Sequence, residues 1–305
     1  MGPDFDPPIV GVGASAGGVK ALQSFFEALP DEPNAVFVVV VHLDPQFRSQ
    51  LASILAARTS MPVAQVEQTA RLKNNHVYVI APDSRLVIAD HTISAVPFDE
   101  PRSQRAPIDL FFRSLAEQHT DGFAYAVVLT GAGADGAFGV KAVKEAGGIV
   151  LVQDPNEAEY ASMPRSAIAA GVADFVLPIR DLAKQLVDLL EDGTENWPVL
   201  DPENDEEVLP RILAHLRVRI GHDFSLYKRA TILRRIARRV QVTRKESLAD
   251  YYAFLRENAE EAQSLFTDFL ISVTTFFRDP HAFDLLAQDA GSRSEERRVG
   301  KECRS

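Results

Sequence analysis

Three side chains far apart in the sequence have the types and settings for acyl-transfer chemistry. Ser15 lies in Gly13-Ala14-Ser15-Ala16-Gly17. This fits a G-x-S-x-G elbow, where small neighbours let the chain bend sharply and bring a hydroxyl into the open. A serine nucleophile needs a base, and the base needs an orienting carboxylate. Of the seven histidines, only His42 directly follows a buried strand-like run in the first part of the chain. Asp135 sits in the glycine-rich stretch Gly131-Ala132-Gly133-Ala134-Asp135-Gly136. In this reading His42 takes the proton of Ser15, and Asp135 fixes the imidazole tautomer and stabilises its charged form. The backbone N–H of Ala16 faces the tetrahedral oxyanion, with a second N–H from the 131–134 loop at Ala132.

The same letters permit other readings. Gly11-x-Gly13-x-x-Ala16 is a dinucleotide-binding fingerprint, and a plain structural glycine turn is a third reading. The first two readings both put a helix N-terminus beside the turn, where free N–H groups favour an anion. The second strand ends in His42, not in an acid suited to a ribose, which weighs against the nucleotide. The order Ser, His, Asp also differs from the Ser, Asp/Glu, His order of the common α/β-hydrolases.

The elements that must position these residues alternate. Apolar runs at 9–12, 35–41, 76–80, 124–129, 149–153 and 173–177 read as strands, with a short apolar stretch near 62–66 and a hairpin of 86–89 and 92–96 around Asp90-His91. Helical stretches follow at 19–29, 50–59, 107–119, 137–146, 158–170 and 179–190. The helix at 107–119 turns Ile108, Phe111, Phe112 and Leu115 to one side. The expected fold class is α/β, a doubly wound and mostly parallel sheet, followed by a small all-α domain. Sites in such sheets lie beyond the C-terminal strand ends, where Ser15, His42 and Asp135 would share one rim.

Composition narrows the setting. At 305 residues and 46% hydrophobic, the chain has ample material for a core. No apolar run approaches a membrane span and no secretory signal precedes residue 9, so no direct membrane insertion is expected. One cysteine, Cys303, excludes an internal disulfide framework and suits a cytoplasmic location. No His/Cys cluster has metal-ligand spacing. Net charge is −10 over residues 1–192, −6 over 193–207 and +4 over 208–288. The acidic first part argues against a nucleic-acid substrate.

At these residues the chain resembles the catalytic domain of the chemotaxis protein-glutamate methylesterases, the CheB family, over about residues 8–190 of an expected domain at 1–192. The resemblance rests on Gly13 to Gly18, on His42-Leu43-Asp44-Pro45, on Leu129 to Gly136, and on Ser162-Met163-Pro164 after Gln153-Asp154. It implies hydrolysis of glutamate γ-methyl esters on chemoreceptors with release of methanol, no cofactor, and deamidation of receptor glutamines as a further activity. The family's catalytic serine, histidine and aspartate fall on Ser15, His42 and Asp135. Ala16 stands where many members have Thr, and Ala132 where many have Met; backbone donors survive both changes. The family's usual receiver domain does not precede residue 9, so control by phosphorylation within this stretch is not expected. A non-catalytic signalling scaffold is the alternative.

Residues 193–207 read as an acidic linker, and 208–288 resemble the N-terminal helical domain of the chemoreceptor methyltransferases, the CheR family. The resemblance rests on Asp223 to Lys228, on the arginine-rich helix Lys228 to Val242, and on Thr274-Thr275-Phe276-Phe277-Arg278-Asp279. In the helix, Leu233, Ile236 and Val240 form an apolar stripe and Lys228, Arg235, Arg238 and Arg239 another side. That side reads either as a solvated face or, by the resemblance, as a surface toward methylated receptors. Thr274 and Arg278 would lie near S-adenosylmethionine, a cofactor expected only for a complete methyltransferase; its α/β domain does not follow, so no methyl transfer is expected. No interleaved aromatic platform accompanies the basic helix, so nucleic acid is not an expected partner. The tail, 289–305, fits neither family and is set aside as non-native or disordered.

Overall fold

The computed structural model describes residues 7–44, 47–98, 100–101, 105–118, 124–195, 202–224 and 226–270. Thr274, Arg278 and the 289–305 tail therefore lie outside the described residues. Residues Met1–Phe269 form one compact unit, and Leu270 is the sole described residue of the second.

Seven strands make one parallel sheet in the order β10-β9-β8-β1-β2-β5-β3. Its strands are β1 (Ile9–Ala14), β2 (Val36–Val41), β3 (Val63–Val66), β5 (His76–Ile80), β8 (Ala124–Val128), β9 (Ile149–Gln153) and β10 (Phe175–Leu177). Every residue of β1, β2, β8 and β9 is buried, as continuous apolar runs require when helices cover both faces. The chain leaves β1 toward β2, then returns to β8 on the other flank of β1. That reversal puts the topological switch at β1.

Helices α1 (Gly18–Glu27), α2 (Leu51–Ala56) and α6 (Ile179–Glu195) pack together, as do α3 (Pro107–Gln118) and α4 (Gly139–Glu145). The fifth helix, α5 (Ser162–Ala169), starts four residues later than its apolar pattern indicates. The expected side of α3 is internal: Ile108, Phe111, Phe112 and Leu115 are all fully buried. Helix α3 lies close on β1 because the strand carries glycine there. A Cβ on Gly11 would meet Phe111 at 2.7 Å, and one on Gly13 would meet Ile108 at 2.5 Å.

A small antiparallel sheet, β4-β7-β6, contains the expected hairpin. Its strands β6 (Ser84–Ala89) and β7 (Thr92–Pro97) turn at Asp90 and His91, both with positive φ, as a two-residue turn of this hand demands. The third strand, β4 (Thr69–Arg71), has no sequence signal, because so short a segment with two exposed residues carries no period.

The remaining helices are α7 (Pro202–Ile220), α8 (Arg229–Val242), α9 (Leu248–Glu257) and α10 (Ala259–Leu270). Helix α6 runs on to Glu195 and α7 begins at Pro202, so both ends of the 193–207 segment are helical. Ile232, Ile236 and Val240 of α8 join an apolar cluster with Ile212, Phe224 and Tyr251.

Candidate active site

The rim at the C-terminal strand ends brings Ser15, His42 and Asp135 together. Ser15 follows β1, His42 follows β2 and Asp135 lies in the loop after β8. The Ser15 hydroxyl is 3.0 Å from His42 Nδ1, and His42 Nε2 is 3.0 Å from Asp135 Oδ2. This arrangement requires the Nε2–H tautomer: Nδ1 accepts from the serine and Nε2 donates to the carboxylate. The His42 side chain is 37% exposed and that of Asp135 9%. The imidazole thus has an open side, and the carboxylate does not.

Backbone geometry fixes each member. Ser15 N–H donates to Thr130 O at 3.0 Å, which ties the serine turn to the end of β8. Gly17, with φ near 71°, closes the turn and starts α1. Here the glycine is required by its left-handed conformation. Gly131 is required by space: a Cβ there would lie 2.9 Å from Ser15 Cβ and would collide with Met163 Sδ.

The Asp135 carboxylate also accepts the N–H groups of Ile108 (3.1 Å) and Asp109 (2.9 Å), at the start of α3. Two first-turn donors and the positive end of a helix thus hold the carboxylate in place. Asp109 in turn accepts Gly139 N–H at 2.6 Å, at the start of α4. Two aspartates therefore cap two helices in succession. Burial pushes the Asp109 carboxyl up; the Gly139 N–H opposes the shift and the nearby Asp135 adds to it.

Sequence reasoning does not find Asp109 or Thr130. The buried Thr130 hydroxyl donates to Ala16 O at 3.3 Å and accepts Tyr160 N–H at 2.8 Å. Its own N–H donates to Gln153 Oε1 at 2.8 Å. It thereby fastens the serine turn to the segment before α5. A polar residue directly after a buried strand run is the available signal.

Of the two expected oxyanion donors, Ala16 is the serine's chain neighbour, and Ala132 follows Gly131, where an added Cβ would come within 2.9 Å of Ser15 Cβ. Among the described residues neither N–H has a hydrogen-bond acceptor. A cleft of about 190 Å³ opens beside His42, lined by Leu43, Ile80, Phe98 and Arg105 among others. Among the described residues no group of three or more His, Cys, Asp or Glu is placed to hold a metal ion, and no helix is long and apolar enough to cross a membrane.

The basic helix departs from expectation. Lys228 is exposed, but Arg235 and Arg238 are fully buried and Arg239 is 9% exposed. Arg239 pairs with Glu261, Nε to Oε1 at 2.8 Å. Arg238 pairs with Asp174 and Asp268. Arg235 donates to the carbonyls of Lys144 and Glu145. These three side chains form neither a solvated face nor a receptor-facing one in this structure, because acceptors elsewhere in the chain enclose them.

The chain is similar to known proteins over both parts. Residues 10–186 match the family model of CheB methylesterase, and residues 207–270 match that of the CheR methyltransferase all-alpha domain. An uncharacterized 104.1 kDa protein in the hypE 3′ region of Rhodobacter capsulatus is 36% identical over 264 residues, covering 78% of this chain and 27% of the relative. A protein-glutamate methylesterase/protein-glutamine glutaminase of Burkholderia pseudomallei is 34% identical over 194 residues, covering 63% of this chain and 56% of that protein. The chain thus spans about a quarter of the first relative and little more than half of the second. The crystal structure of the Thermotoga maritima CheB methylesterase catalytic domain superposes with a TM-score of 0.57 at 31% identity, covering 61% of this chain and all of that one. The switch-point rim, the mostly parallel sheet and the match across more than half its length place this chain in the CheB methylesterase family.

Proposed function

We propose that this chain hydrolyses glutamate γ-methyl esters on a methylated chemoreceptor or related signalling protein in the cytoplasm, with Ser15 as nucleophile. The unbroken relay Ser15–His42–Asp135, with 3.0 Å at each step, carries the reading. His42 Nδ1 takes the serine proton as Oγ attacks the ester carbonyl carbon. The carbonyl electron pair moves to oxygen, which the N–H groups of Ala16 and Ala132 would stabilise. As the tetrahedral intermediate collapses, the C–O bond to the methoxy group breaks and imidazolium returns the proton to it, releasing methanol. Water, deprotonated by His42, then cleaves the acyl-enzyme to a free glutamate and regenerates Ser15. No step draws on a cofactor.

The name of the Burkholderia relative includes protein-glutamine glutaminase. The same relay supports deamidation, with ammonia as the leaving group in place of methanol. Residues 207–270 match only the all-alpha domain of a methyltransferase, and no methyl transfer from S-adenosylmethionine is assigned to this stretch. A labelled-cofactor assay checks that.

The central test is methanol release from a methylated receptor fragment. Ser15→Ala is expected to lower kcat by about 10⁴-fold or more. Equal release by parent and variant would sink the mechanism and favour the non-catalytic scaffold.

A further inference from the structure

A separate cluster of charges lies at the opposite end of the sheet. Tyr125 is the second residue of β8, Gly148 directly precedes β9, and Asp174 directly precedes β10. All three meet α8. Gln241 Nε2 donates to the Tyr125 hydroxyl at 2.8 Å, and Arg238 Nε to Gly148 O at 2.9 Å. Arg238 pairs with Asp174 and Asp268, and Lys144 Nζ lies 3.0 Å from Asp174 and 3.3 Å from Asp268. The esterase part and the helical part each contribute one cation and one carboxylate, so these four charges balance.

Helix α4 joins this site to the active site. Its N-terminal turn begins four residues after Asp135, and Asp109 accepts the Gly139 N–H there. Its C-terminal turn ends at Lys144 and Glu145, whose carbonyls accept both arms of the Arg235 guanidinium. The open carbonyls of a helix C-terminus are natural acceptors for a planar cation. Gly147, with φ near 101°, leaves room for α8: a Cβ there would sit 3.1 Å from Arg234 Cγ. At seven residues, α4 is a strut about 10 Å long, held at both ends.

We propose that Arg235 is a positioning residue for the esterase reaction, fixing α4 from behind so that the loop ahead of it presents Asp135 to His42. The helical part is then a structural support of the esterase site, and the partner its arginine face fits is the esterase part of the same chain. This role rests on the methylesterase reading. Arg235 touches no substrate; it acts through α4. A misplacement of 1 Å can cost about 10²-fold in rate, so loosening one end of α4 should cost kcat about tenfold or less.

The test uses the full chain and measures methanol release with hydrogen exchange of residues 139–145. Arg235→Gln should lower kcat about five- to tenfold with KM within about twofold, and raise exchange across α4. Arg235→Lys, which keeps the charge but loses the fork, should fall between the parent and the glutamine variant, and covers the case in which the latter does not fold. Gln241→Leu loosens the same interface away from α4; it should lower the melting temperature and leave kcat unchanged. Parental kcat in both Arg235 variants, or an equal loss of kcat in Gln241→Leu, overturns the proposal. If the parent releases no more methanol than Ser15→Ala, the methylesterase reading fails instead. Exchange in α4 then decides the mechanical coupling alone, and parental protection in the Arg235 variants overturns it.

Discussion

The two ends of the parallel sheet treat charge in opposite ways. At the C-terminal ends, His42 keeps an open side and faces one carboxylate, Asp135. At the N-terminal ends, Lys144, Asp174, Arg238 and Asp268 are buried together and each meets opposite charge twice. A base must exchange protons with its reacting partners, so one of its nitrogens has to stay clear of fixed charge. A support must not titrate, so its charges are paired and enclosed. Burial pushes the Asp174 carboxyl up, but Arg238 and Lys144 outweigh it and hold the group at about 2. One end leaves its imidazole open beside a single carboxylate, and the other encloses four charges that satisfy one another.

This contrast is tested most severely at the rim. Asp135→Asn keeps the size of the side chain, but its amide can turn an N–H toward His42 and favour the wrong tautomer. The expected loss in kcat is about 10³- to 10⁴-fold, with about 1 kcal/mol of stability lost as well, because the oxygen that faces His42 also accepts the Ile108 N–H. An intact rate would mean that Asp135 only caps α3.

A smaller effect is expected at the other end, on acidification. The folded Asp174 carboxyl lies at about 2, below its ordinary 3.8. Its contribution is therefore complete above about pH 4 and is lost as pH falls through 2. The amount is roughly 2 kcal/mol, since a tenfold change in proton affinity between the folded and unfolded chain is worth about 1.4 kcal/mol. Denaturant melts from pH 5 to pH 2 measure it. In Asp174→Asn this part of the acid dependence should vanish; an unchanged pH profile would assign it elsewhere.

The smallest effect concerns Asp109, which links the two ends. Asp109→Ala removes the cap on α4 and should cost about 1 kcal/mol of stability. Asp109→Asn keeps an acceptor oxygen for Gly139 N–H and should restore most of it. Raised by burial, the Asp109 carboxyl favours the protonated form in the fold. That contribution is present at low pH and fades as pH rises through its folded value. The asparagine variant should consequently lose less at neutral pH than at pH 4, as paired denaturant melts would show.

The rim is legible because each of its parts has a local signature. Ser15 follows an apolar run and precedes an amphipathic helix; His42 and the loop of Asp135 each follow a buried strand run. Strand polarity alone then sends all three to one side. The supports of the rim are less legible. Thr130 looks like one more residue of a glycine-rich loop, and Asp109 like an acid in the first turn of α3. Their roles depend on partners at Tyr160 and Gly139, about 30 positions away in each case.

The basic helix shows the limit most directly. Periodicity places Ile236 and Val240 of α8 in an apolar core, and both are buried there. The same wheel puts Arg235 and Arg238 on another side, and composition reads such a side as solvated. Four of their acceptors, at Lys144, Glu145, Gly148 and Asp174, lie far upstream of α8, and Asp268 lies downstream of it.

By itself the sequence determined six of the seven parallel strands, the elbow at Ser15 and the three residues that reach the rim. These follow from local preferences: the period of apolar residues, the conformational freedom of glycine, and the direction of a strand. Only the tertiary structure decided which nitrogen of His42 faces Ser15, which helix ends Asp135 and Asp109 cap, and that the arginines of α8 are interior. Each of those depends on where a distant acceptor comes to rest. A guanidinium is buried only when the surrounding carbonyls and carboxylates replace its water, and no local pattern records their arrival.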